Sequence, residues 1–345
     1  MRTVEGILEY LEENINEQHL DAVVIKHKKA LNYEPIDTLP AKISVDCGIA
    51  RKSMDEIHGS PEAMMFNELL GCVNTVRNKD DSLPMIRANY GVGTFVSLFG
   101  LKSSIVNGNM PWVTHLGDIK QVEELIERGV PDLDNGFGKK LTETHGYYRS
   151  MLSKYPKCNR SIKVYHPDGQ GPFDNAHLIW GGDIYIELYD NPDLVHKLMS
   201  LVTDTYIKQM ERNLAETNAE IEGGYNCHWQ MLYKGRLVLR DDSSVNLSRD
   251  MYLEFVKPYN QRIANHFGSV SMHFCGRADQ WIKELINTER IDSVNFGWMY
   301  GKFNNEFLKL ISKDCFENKV SVVAYPADMA EFDASIFPTG MTIAV

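Results

Sequence analysis

Residues 269–279 read SVSMHFCGRAD, and the chemistry in this run lies in His273 and Cys275. Residues two apart on a β-strand project from one face, so an imidazole and a thiol share one small volume while Phe274 points the other way. Gly276 permits the turn out of the strand. Such a pair suits zinc, which takes thiolate sulfur and imidazole nitrogen together and needs one or two more ligands to complete a tetrahedron. The plainer reading makes Cys275 a small buried side chain and His273 a satisfied core histidine. Position favours the site, because the pair closes an apolar strand and is followed by glycine and then by a helix beginning Asp279-Gln280-Trp281-Ile282.

Other groups could join it. In Asn226-Cys227-His228-Trp229-Gln230, alternation puts His228 with Asn226 and Gln230, and Cys227 with Tyr225 and Trp229. This makes His228 a candidate catalytic group and Trp229 a candidate substrate contact, although aromatic residues fill a core as readily as they line a pocket. Asp241 and Asp242 cannot both point inward; Asp242 is the candidate general base or hydrogen-bond acceptor, with a solvated turn as its rival. Residues 165–172, YHPDGQGP, describe a loop held close to ligand, with His166 as a candidate contact. Asn89-Tyr90-Gly91-Val92-Gly93 lacks the third glycine and the ribose-binding acid of a dinucleotide fingerprint, and leaves Asn89 and Tyr90 as candidate substrate contacts.

Elements that could position these groups alternate along the chain. Candidate strands are Lys42–Cys47, Ser82–Asn89, Ser161–His166, Glu222–His228, Ser269–Cys275, Asp292–Phe296, Val320–Tyr325 and Met341–Val345, with segments of helical period between them. Ser60-Pro61-Glu62 opens a helix over Ala63–Arg77, Asn191-Pro192-Asp193 opens another over Leu194–Asn213, and a third is expected over Asn304–Asn318. Ser248 caps a helix whose Met251, Phe255, Tyr259, Ile263 and Phe267 form an apolar stripe, with Pro258 kinking its middle. The alternation predicts an α/β fold, a single (β/α)8 TIM barrel over residues 1–345 with an N-terminal helical extension. In such a barrel, catalytic groups sit at the C-terminal ends of strands.

Composition narrows the function. The 345 residues are 43% hydrophobic and 24% charged, ordinary for a globular chain. No run approaches the roughly 20 apolar residues that span a bilayer, and a cytoplasmic protein is expected. The six cysteines are scattered, as reduced thiols or metal ligands would be. A net charge of −11 argues against a nucleic-acid partner, and Lys26-His27-Lys28-Lys29 reads as a solvated helix end.

Leu239-Arg240-Asp241-Asp242, the run Asn246–Tyr259 and His273-Phe274-Cys275-Gly276, together with Gln170-Gly171-Pro172-Phe173 and Tyr189–Val195, resemble in order and spacing the uroporphyrinogen decarboxylase superfamily. The likeness is clear over about residues 160–300, looser before them, and nearest to the cobamide-dependent methyltransferase branch. That resemblance implies zinc on His273, Cys275 and a later cysteine, binding a thiol whose thiolate attacks the methyl group of a methylated corrinoid (cobamide) carried by a partner protein. Which thiol or pterin accepts the methyl is left open. The later cysteine would lie beyond the last strand, where this chain stops at Val345; Cys227, His228, Asp328 and Glu331 are the other candidates, and Cys315 reads as structural. True decarboxylases carry Arg-Gln-Ala-Gly-Arg-Tyr at the first strand and an Asp after the second, which Val45–Arg51 and Met85–Tyr90 do not match. A chain without those arginines lacks a clamp for a porphyrinogen's carboxylates, so the decarboxylase is the second reading. A non-catalytic barrel that binds a tetrapyrrole or small ligand is the third.

Overall fold

A computed structural model describes residues 1–105, 108–297, 304–325 and 332–344. Parallel strands carry the fold: β1 (Ala41–Lys42), β2 (Met85–Arg87), β3 (Lys163–Tyr165), β4 (Val238–Arg240), β5 (Val270–Cys275), β6 (Ile291–Gly297), β7 (Ser321–Ala324) and β8 (Met341–Ala344). A six-stranded sheet runs β1-β8-β7-β6-β5-β4, and β2 pairs with β3. All these pairings are parallel, as the α/β reading expects. A single bridge between Gln170 and Arg240 sets the loop after β3 beside β4. Between β1 and β2, the Asp81 backbone N–H donates to Ala41 O at 3.0 Å while its carboxylate accepts from Ala41 N at 2.9 Å.

Residues in register lie on the same face of parallel neighbours. Leu239, Met272, Val294, Val322 and Met341 form one row and belong to the largest apolar cluster, with the helices outside. The row of opposite parity is Arg240, His273, Asn295, Val323 and Thr342, all buried on the inner face. Two helices, Val4–Asn14 and Glu17–Leu31, precede β1. The helix begun at Ser248 breaks where expected: it ends at Phe255, and a new one starts at Lys257 with Pro258 in its first turn.

One expected strand is corrected. Residues 222–228 do not form the fourth parallel strand; Tyr225–His228 is the middle of an antiparallel sheet with Glu220–Ile221 and Met231–Lys234, and β4 follows it. The turn is Trp229-Gln230, both with positive φ, 46° and 64°. Two left-handed residues make the primed hairpin turn, usually announced by Asn-Gly; a bulky Trp there conceals it.

An ionic tie fastens the β2–β3 pair to the larger sheet. Arg87 from β2 and Arg240 from β4 both bind the carboxylate of Asp168, on the loop after β3. Burial alone would raise the Asp168 pKa, but the Arg240 and Arg87 guanidiniums hold it down to about 2. Substituting Asp168→Asn should cost about 3–5 kcal/mol in urea unfolding, since it leaves two guanidiniums buried without their counter-ion. The buried histidines impose a pH limit. Burial pushes both His27 and His166 down to about 4 and His228 well below its ordinary value. A group whose folded pKa is depressed takes up its proton on unfolding, so stability is full above pH 6.5 and falls as pH drops towards 4. Urea midpoints measured across that window should fall steadily, and His27→Gln should lessen the slope by about one proton.

Candidate metal centre

The inward row of the sheet ends in a compact set of donors. His273 Nε2 lies 3.5 Å from Cys275 Sγ and 3.6 Å from Asp242 Oδ1. The ligand atoms of Asp242, His273 and Cys275 all fall within 4.8 Å of one another. His273 and Cys275 come from the C-terminal end of β5; Asp242 opens the short helix Asp242–Asn246 just after β4. Asp242 Oδ1 also accepts the Cys275 backbone N–H at 2.6 Å, which ties the loop after β4 to the end of β5.

The imidazole is held in one tautomer. Asn295, its partner in register on β6, donates from Nδ2 to Val323 O at 2.6 Å, so its Oδ1 faces His273 Nδ1 at 2.5 Å and accepts that proton. Nε2 therefore carries the lone pair, directed at Cys275 and Asp242, because the Asn295 contact at Nδ1 fixes which ring nitrogen is free to ligate. Burial lowers the His273 pKa, against the pull of Asp242, and keeps the ring neutral. Burial and then the Asp242 charge push the Cys275 thiol up to about 12.

Carboxyl groups gather here with no Lys or Arg ion pair among the described residues. Asp174 and Asp241 are both buried. Burial first, then the neighbouring carboxylates, raise both pKa values. Asp241 accepts from Asn260 Nδ2 at 2.7 Å on Oδ2, while its buried Oδ1 has no hydrogen-bond partner. No Lys or Arg ion pair reaches Asp174, Asp241 or Asp242 among the described residues. A divalent cation on the His273, Cys275 and Asp242 donors would offset that charge, and one thiolate, one imidazole and one carboxylate form a donor set that zinc accepts. The residues fit the metal.

Trp229 joins this site through its strained backbone. Its indole lies edge-on to His273 with ring centroids 4.8 Å apart, and the Arg240 guanidinium sits 4.3 Å from the indole centroid. The other expected groups lie apart. His228 is fully buried, packed against Tyr165, His166 and Trp229, and its Nε2 accepts from Arg240 Nη2 at 3.2 Å. It thereby orients Arg240 and is not among the groups whose ligand atoms meet at His273. His166 is spent on backbone, with Nδ1 donating to Pro167 O at 2.8 Å and Nε2 accepting from Val238 N at 3.2 Å. Tyr90 belongs to a separate core, stacked on Phe137 and bonded to Thr144 Oγ1 at 2.8 Å. Asn89 stands at the end of β2, where its Oδ1 accepts from Gly91 N at 3.4 Å. Cys227 packs on Val23, Leu31 and Leu83 in another cluster, and Cys315 is buried in the main core. Asp328 and Glu331 lie outside the described residues.

Sequence reasoning singled out Asp242 but as a base, because its proximity to His273 arises only when β4 and β5 pair. It missed Asn295, whose signal was a polar residue on the inward phase of an apolar strand. It also missed Asp174 and the Arg87–Asp168–Arg240 tie.

Comparison with known proteins bears on the whole. The chain shares its fold with a methyltransferase from Methanosarcina mazei: 16% identity, TM-score 0.65, covering 94% of this chain and 92% of the other. No curated protein matches the chain significantly in sequence. Residues 170–312, which include Asp174, Asp242, His273, Cys275 and Asn295, match the family model described as uroporphyrinogen decarboxylase (URO-D), and the resemblance to that superfamily read from the sequence is thereby borne out.

Proposed function

We propose that this chain is a zinc-dependent methyltransferase, working on an eight-stranded barrel, that moves a methyl group between a corrinoid held by a partner protein and a thiol or pterin acceptor. The observation that carries the reading is the convergence of His273 Nε2, Cys275 Sγ and Asp242 Oδ1 within 4.8 Å at the ends of adjacent strands. The Methanosarcina protein's name supports methyl transfer, and the matched residues include all these donors.

His273, Cys275 and Asp242 would hold the metal and leave a fourth position for the acceptor's sulfur. Zinc, when bound, supplies a Lewis acid that keeps a thiol as thiolate at neutral pH. With a thiol acceptor, the sulfur would take up the methyl group as the methyl–cobalt bond broke, the bonding pair remaining with the corrinoid carrier and the thiol proton passing to solvent. The chain's own residues orient the centre. Asn295 fixes the His273 ring, the Asp242 carboxylate holds the Cys275 backbone, and Trp229 stands as an apolar wall over His273. Asp242 thus serves as ligand in place of the later cysteine of the superfamily branch.

The decarboxylase reading has one observation in its favour, the half-buried Arg87 beside the buried Arg240. Both guanidiniums are engaged by Asp168, which limits what they can offer a substrate with many carboxylates.

Protein purified without chelator should hold close to one zinc per chain by elemental analysis. His273→Ala and Asp242→Ala should each abolish stoichiometric retention, and Asn295→Ala should weaken affinity by about 10–100-fold. Methyl transfer from a methylcorrinoid to a thiol should disappear with the metal. Absence of bound zinc, or decarboxylation of uroporphyrinogen by the pure protein, would sink the proposal.

A further inference from the structure

The Asp242 arm of the site starts a helix of only five residues, so something outside it must fix its direction. Its first N–H groups have no partner within the helix, as at any helix start. Here a single side chain from 68 positions earlier takes them: Asp174, in the first turn of the helix Pro172–Trp180, accepts from Asp242 N at 2.8 Å and from Ser243 N at 2.5 Å. Asp174 is only 2% exposed, although burial of a carboxylate is costly and no cation pairs with it among the described residues. The same turn is held elsewhere by Ser244 Oγ on Asp241 O at 2.6 Å, by Tyr185 Oη on Ser243 O at 3.0 Å, and by His177 Nδ1 with Ser243 Oγ at 2.8 Å. Among the described residues, Asp174 is the side chain that accepts the backbone N–H of Asp242 itself.

The route by which Asp174 arrives is equally constrained. Gly171 N donates to Arg240 O at 2.6 Å, and a Cβ on Gly171 would stand 2.3 Å from that same oxygen. Only glycine lets the loop after β3 lie so close to β4, three residues before Asp174. The chain therefore carries a buried carboxylate to the backbone of the metal site's oxygen ligand.

We infer that Asp174 is a positioning residue for the metal centre: by capping the N–H groups of Asp242 and Ser243 it aims the Asp242 carboxylate at His273 and Cys275, and thereby completes a three-donor site. This rests on the metal reading given above. Asp174 touches neither metal nor acceptor. A carboxylate accepts both N–H groups at once, whereas an amide or hydroxyl oxygen offers a poorer pair of acceptors and no charge.

Cobalt(II) is the probe, since its visible spectrum reports the ligand set while the protein stays in its native form. Wild type, Asp174→Asn, Asp174→Ser and Asp242→Asn are titrated with cobalt, and each variant's urea midpoint is measured alongside. Making both Asp174 variants ensures that one folded neutral replacement is compared. The expected result is cobalt affinity about 10–100-fold weaker in the Asp174 variants. Their spectrum should shift towards that of Asp242→Asn. A wild-type spectrum and affinity in a folded Asp174 variant would overturn the inference, as would a lowered urea midpoint with an unmoved spectrum, which marks a merely structural role. If wild type itself binds no cobalt or zinc, the metal reading fails and this inference with it; if only the Asp174 variants behave as wild type, the metal reading stands and this inference alone falls.

Discussion

Strand register decides what this protein can do. Arg240, His273 and Asn295 are mutual partners across β4, β5 and β6, so their side chains meet on the inner face. A slip of one residue in β5 would turn His273 and Cys275 to the helix-packed side and bring Met272 and Phe274 inward. The apolar row Leu239, Met272, Val294, Val322 and Met341 guards against that slip, because each of its members would lose a buried environment. The hydrophobic packing of one face thus holds the donor geometry of the other.

Polar groups inside the sheet then sort into two electrostatic neighbourhoods. Around Arg240, positive charge is met by Asp168, and His228 and His166 stay neutral because burial and the nearby guanidinium disfavour a further proton. Around Asp242, carboxyl groups gather with no Lys or Arg ion pair among the described residues, and burial with the Asp242 charge keeps the thiol of Cys275 protonated. Trp229 stands between the two, against His273 on one side and Arg240 on the other. Its left-handed backbone is a local cost, recovered through Lys42 Nζ on its carbonyl at 3.2 Å and Gln230 Nε2 on Gly71 O at 2.7 Å. A divalent cation in the acidic half would balance the arrangement.

Much of this was legible in the sequence. The His-x-Cys pair, the break at Pro258, the proline-opened helices and the parallel α/β alternation all follow from local spacing. What was hidden depended on contact between distant segments. Trp229-Gln230 makes a hairpin turn with residues that seldom adopt it, so Tyr225–His228 read as a sheet strand and β4 was overlooked. Asp242 and His273 are neighbours only across a strand pair, and Asp174 resembles any first-turn acid until the loop beyond β4 meets it. Asn295 and Asp168 matter through partners 22 and 72 residues away.

Zinc-edge X-ray absorption on the purified protein reads the ligand set of the bound metal. We expect a four-coordinate metal with one sulfur from the protein at about 2.3 Å and nitrogen and oxygen neighbours at about 2.0–2.2 Å, and loss of the zinc signal itself in His273→Ala and in Asp242→Ala. Two protein sulfurs at the metal, or a spectrum of zinc that the His273 variant leaves unchanged, would contradict the metal reading.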